Sequence, residues 1–212
     1  MRVRAVPDLP RPQHEMDRPT TPCLSAPMTR TRLPYILTAV ITIATLVILL
    51  AMGREITCKC GWVDLWGTID TSEGSQQLFD WYTPSHLMHG FIFYAVLWLV
   101  ARRLDVGWRL VISALAESAW EITENSNAVI ERYREVTISL DYYGDSVLNS
   151  LSDILTVYFG FWLARRLPVW VSVAIMIGFE VLTLIIIRDG LALNVLMLLY
   201  PLDVIRDWQA AG

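Results

Sequence analysis

Apolar positions run through the chain in long blocks separated by polar connections. From Leu33 to Met52 twenty residues pass without a charge, and a helix of that length crosses a hydrocarbon core of about 30 Å. A cleavable signal peptide is the competing reading, but the run exceeds an apolar h-region and no small-x-small site follows at Ala51-Met52-Gly53-Arg54. Further blocks cover about 86–104, 108–125, 146–167 and 168–187, the last interrupted by Glu180. A sixth, 191–205, has an apolar part short for a full crossing, which makes it a tilted span or a re-entrant segment. The pattern predicts an all-α, polytopic membrane helix bundle with five to six transmembrane helices.

Residues 1–32 are rich in Pro, Arg and Thr without apolar periodicity and are expected to form a disordered tail ahead of a helical domain over 33–212. Met28, just before Thr-Arg-Thr-Arg-Leu-Pro, is an alternative start. The connection 53–85 holds Trp62, Trp66 and Trp81, as expected of a loop on the membrane interface.

Composition agrees with a membrane setting: 54% of residues are hydrophobic and nine are tryptophan. The net charge of −4 and the lack of a basic face exclude a nucleic-acid partner. Arginine placement sets the orientation. Six arginines lie in the tail, and Arg102, Arg103, Arg109, Arg165, Arg166 and Arg206 occupy alternate connections and the C-terminal end. By the positive-inside rule the N-terminus is cytoplasmic. Cys58-x-Cys60 leaves a disulfide and a soft-metal site both open.

Chemistry concentrates where Asp-Trp-Tyr-Thr-Pro-Ser-His-Leu-Met-His-Gly enters the second apolar block. Pro84 suits a first helical turn and Thr83 a cap before it. His86 and His89, three apart, share a helix face. Glu117, Glu121 and Glu124 form an acidic stripe on the third block, and Asp145, Asn149 and Asp153 repeat every four residues at the start of the fourth, with Asp145 or Ser146 as its cap. The topology brings all three groups to one outer depth. Ionisable groups at membrane depth are costly and face a cavity or one another. Two readings follow. In one, a divalent metal such as zinc sits on His86, His89 and a carboxylate, Glu121 or Asp145. In the other, the imidazoles only hydrogen-bond acidic neighbours. Glu117 and Glu121 are close enough to tune one another as general acid or proton carrier.

The order Cys-x-Cys-Gly, Thr-Pro-Ser-His-x-x-His-Gly, Glu-Ser-Ala-Trp-Glu, Ile-Glu-Arg-Tyr-Arg-Glu and Tyr-Gly-Asp-Ser, with Asn149 and Asp153, closely resembles the bacterial membrane proteins grouped as uncharacterised protein family 0314. The resemblance covers essentially everything after residue 33 and implies a multi-pass protein of the bacterial cytoplasmic (inner) membrane. It implies no activity. A His opening one helix, Glu-x-x-x-Glu in the next and Gly-Asp-x-x-x-Asn in the following one is similar in spacing to membrane proteins of the VanZ type.

The cluster of His86, His89, Glu117, Glu121, Asp145, Asn149 and Asp153 suits a membrane-embedded hydrolase or transferase acting on a lipid or lipid-linked substrate, with membrane lipids as partners. A proton-coupled transporter is the alternative, although no inverted repeat or broken-helix pair is visible. A non-catalytic assembly or lipid-binding subunit is the third reading.

Overall fold

The computed structural model describes residues 28–68, 73–137 and 141–211, so the expected tail lies almost wholly outside the described residues. The described chain is all helical: α1 (Met28–Ala51), α2 (Thr83–Val100), α3 (Val106–Glu124), α4 (Asn127–Val136), α5 (Val147–Arg166), α6 (Val169–Ile187), α7 (Leu191–Leu199) and α8 (Asp203–Ala210). Three stretches, Arg32–Ala51 in α1, Val147–Arg166 in α5 and Val169–Ile187 in α6, are long and apolar enough to cross a membrane. The remaining long helices, α2 and α3, carry the two histidines and the three glutamates of the acidic stripe.

The segment 191–205 divides into α7 and α8. Tyr200 leaves helical geometry ahead of Pro201, which lacks the N–H to continue a helix. Nine residues of α7 span only about 14 Å, less than half a hydrocarbon core. Between α3 and α5, where sequence reading expected only a polar loop, α4 forms. Ser126 caps it by accepting from the Val129 N–H, and Ile130, Tyr133 and Val136 are buried on one side.

Two glycines set the central helix crossing. A Cβ on Gly90 of α2 would lie 2.3 Å from the Val157 carbonyl oxygen and 2.6 Å from the Phe161 nitrogen, and one on Gly160 of α5 would lie 2.4 Å from the Leu87 carbonyl oxygen. Only hydrogen at both positions permits this backbone approach, the small-residue packing that membrane helices favour. Because His86 faces Asp153, Gly90 meets Val157 and Gly160, and Tyr94 packs on Phe161, α2 and α5 run parallel. Pro34 packs on Gly107, so α1 and α3 start at the same end. Leu97, Leu110 and Phe161 fill the core towards the end that carries Arg102, Arg103, Arg165 and Arg166.

At the opposite end the connections fold over the bundle. Ser146 caps α5 by accepting from Asn149 N–H, and the Val147 and Leu148 N–H groups donate to the Glu55 and Ile56 carbonyls. Gln76, fully buried, donates to the Gly144 carbonyl, and the Ser146 hydroxyl donates to the Gln76 carbonyl. Cys58 and Cys60 form a disulfide in this cover.

Candidate functional site

The start of α2 is fixed by a reciprocal pair, in which Thr83 Oγ1 accepts from the Asp80 N–H. The Asp80 carboxylate accepts from the Tyr82 and Thr83 N–H groups and from the Ser75 hydroxyl, and Pro84 takes the first turn. That start, followed by the Gly90–Gly160 crossing, places His86 between α3 and α5 and His89 against α3.

Glu117 lies between the two imidazoles. Its Oε1 is 2.7 Å from His86 Nδ1 and its Oε2 is 3.2 Å from His89 Nδ1. The far side of His86 faces Asp153, with Nε2 3.9 Å from Oδ2. Glu121 Oε1 lies 3.9 Å from His86 Nδ1. Both distances are too long for hydrogen bonds. Both Glu121 oxygens and Asp153 Oδ1 are buried and lack any hydrogen-bond partner. Among the described residues no lysine or arginine pairs with Glu117, Glu121 or Asp153. His89 is the more open imidazole, with 15% of its side chain exposed, stacked on Phe93 and edge-on to Trp120.

Other predicted positions have different surroundings. Asp145 lies nearby, but its oxygens accept from the Asn125 amide at 2.7 Å and the Tyr142 hydroxyl at 3.0 Å, while its own N–H donates to Asn125. Burial pushes its carboxyl up to about 6, against the opposing pull of the Asn125 hydrogen bond. Asn149 donates its amide to the Gln77 carbonyl and ties α5 to the cover. Glu124 accepts from the Tyr133 hydroxyl.

Of the expected metal set His86, His89, Glu121 and Asp145, the first three fall into two smaller groups sharing His86 that Glu117 and Asp153 complete, and Asp145, held by Asn125 and Tyr142, joins neither. One is His86 with His89 and Glu117, and the other is His86 with Glu121 and Asp153, each with ligand atoms within 4.8 Å of one another. Cys58, Cys60 and Glu73 form a third group, but its two sulfurs are bonded to each other.

Sequence reading passed over Asn125 and Gln76, which hold the cover to the site. Their signal is weak: a side-chain amide at a helix end or in a turn is usually solvated, and only burial gives these two a role. Glu180, seen only as an interruption, caps α7. Its two oxygens accept from the Leu191 and Ala192 N–H groups.

The family model described as "Protein of unknown function (DUF2585)" matches residues 49–211. A UPF0314 protein of Paracoccus denitrificans is 65% identical over 184 residues, covering 86% of this chain and 95% of the relative. Another from Sinorhizobium fredii is 55% identical over 160 residues, 75% of this chain and 81% of the relative. One from Novosphingobium aromaticivorans is 51% identical over 176 residues, covering 80% and 89% respectively. No solved structure matches.

Proposed function

The chain belongs to the UPF0314 family, and we propose that it is a membrane-embedded hydrolase or transferase acting on a lipid or lipid-linked substrate. The observation that carries this reading is the bridge from Glu117 to both histidines. A carboxylate on Nδ1 orients an imidazole and leaves its Nε2 facing away, the arrangement of a general acid or base. His89, open at one side, is the group suited to move a proton on a substrate, and Glu117 positions it.

A second feature favours a lipid. A groove of about 470 Å³, lined by Leu78, Phe79, Leu148, Leu151, Leu155 and Phe159, runs along the outside of α5. From Leu148 to Phe159 the helix rises about 16 Å, room for an extended alkyl chain. It begins at the depth of Asn149 and Asp153, so an acyl chain lying there brings its headgroup to the polar end of the bundle.

In this reading the protein sits in the bacterial inner membrane with its N-terminus in the cytoplasm. Arg102, Arg103, Arg165 and Arg166 gather at the end away from the histidines, which favours an outward-facing site by the positive-inside rule.

The test is lipid mass spectrometry on a strain lacking the gene, complemented with the wild-type chain or with His89→Ala. The expected result is a lipid-linked species that accumulates in the deletion, returns to normal with wild type and persists with His89→Ala. Indistinguishable lipid profiles in the deleted and parental strains would overturn the proposal.

A further inference from the structure

We propose that His86 Nε2, together with one carboxylate oxygen each from Glu121 and Asp153, binds a divalent first-row metal ion, Zn²⁺ or Mn²⁺, inside the bundle. The three ligands come from α2, α3 and α5, are all buried, and offer one donor atom each within 4.8 Å of one another. Asp153 Oδ2 stands 3.9 Å from His86 Nε2, whereas Glu121 Oε1 stands 3.9 Å from Nδ1, so ion binding at Nε2 requires the Glu121 side chain to turn towards that nitrogen.

The unpartnered oxygens supply independent evidence. Buried polar atoms are nearly always hydrogen-bonded, and an exception calls for a missing water or ion. Here three such oxygens, both of Glu121 and Oδ1 of Asp153, belong to two carboxylates flanking one imidazole. Water satisfies their hydrogen-bonding capacity only at the cost of protonating both carboxyls or leaving two charges unpaired in a low-dielectric interior. A divalent cation removes that cost, since two carboxylates and a neutral imidazole around M²⁺ form a set of zero net charge. With bonds of about 2.0–2.2 Å, tetrahedral neighbours stand roughly 3.3–3.6 Å apart, so the 3.9 Å between His86 Nε2 and Asp153 Oδ2 closes by a few tenths of an ångström.

Glu117 completes the design from outside the ligand set. At 2.7 Å from Nδ1 it holds the His86 proton there and frees Nε2, the carboxylate–histidine–metal arrangement that raises ligand basicity. One imidazole and two carboxylates suit zinc and manganese better than a soft ion such as Cu(I).

The site deepens the enzyme reading, with which it shares His86 and Glu117, but its test reads metal and not turnover. A metal-loaded chain from a strain pair with identical lipid profiles would remove the reaction and keep the site. The full chain, without a polyhistidine tag, is purified in detergent, incubated with Zn²⁺ or Mn²⁺, desalted and measured by elemental analysis.

About one equivalent is expected for the wild type, at least tenfold less for Glu121→Gln and Asp153→Asn, and no loss for the Cys58→Ser/Cys60→Ser pair. Less than a tenth of an equivalent in the wild type, or full retention in both carboxylate variants, would overturn the proposal. Because those variants can fail to fold, Co²⁺ is also titrated into the wild type. Visible absorption bands that Zn²⁺ displaces support the site, and their absence counts against it.

Discussion

Glu117 Oε1 lies 2.7 Å from His86 Nδ1, and this contact, between a fully buried carboxylate and a nearly buried imidazole, joins α3 to α2 at the centre of the polar cluster. Because Oε2 is committed to His89, the two oxygens serve two rings at once. A glutamine at 117 keeps one acceptor and turns an NH₂ towards the other ring. Glu117→Gln is therefore expected to cost about 1.5–3 kcal/mol, the range for a hydrogen bond to a charged group. Thermal unfolding in detergent should move down by roughly 5 °C or more. An unchanged midpoint would mean that the bridge holds nothing together.

Asp145 gives a pH dependence. Its ordinary value is 3.8 and burial raises it to about 6, so between those values the folded chain holds a proton that the unfolded chain releases. Stability from this group is therefore present at about pH 4 and is lost as pH rises through 6, by at most on the order of 3 kcal/mol. Asp145→Asn imitates the protonated form and removes that share of the slope. Melting curves from pH 4.5 to 7 should fall more steeply with rising pH for wild type than for Asp145→Asn, and parallel curves would contradict the assignment.

The apolar blocks made α1, α2, α3, α5 and α6 legible to within a few residues, because twenty-residue hydrophobic runs have few alternatives. Topology and helical spacing put His86, His89, Glu117, Glu121, Asp145, Asn149 and Asp153 at one depth without singling out His86, Glu117, Glu121 and Asp153. The division of labour among the acids was not legible. Asp145 and Asp153 share a helix face by spacing, yet Asp145 is held by Asn125 and Tyr142 while Asp153 faces His86, a difference that depends on how the 125–146 connection folds back. The α4 helix was missed because Glu131, Arg132, Arg134 and Glu135 mask the Ile130–Tyr133–Val136 stripe.

Glu180 offers a local test. Its carboxylate accepts two N–H groups at the start of α7, where the helix dipole favours negative charge. Glu180→Ala leaves both donors free and is expected to cost about 1–2 kcal/mol, confined to the α6–α7 turn. Hydrogen exchange of the Leu191 and Ala192 amides should accelerate by tenfold or more while exchange at the centre of α5 holds. Equal acceleration in both places would make Glu180 a global rather than a local support.

The Gly90–Gly160 crossing makes the strongest claim on the architecture. The atoms that an added methyl would meet at 2.3–2.6 Å are backbone atoms of the opposite helix, which have no rotamer to yield. Gly90→Ala and Gly160→Ala should each push α2 away from α5 and destabilise by about 1–3 kcal/mol or more, the usual range for overpacking. Since His86 lies one turn from Gly90, and Asp153 two turns from Gly160, the same displacement opens the His86–Asp153 gap and should lower metal content with it. Gly178 of α6 has nothing within 4 Å of its would-be Cβ, so Gly178→Ala should be neutral or stabilising by up to about 1 kcal/mol through helix propensity. If all three variants melt together with wild type, the close approach is not what holds α2 to α5, and the placement of the histidines needs another cause.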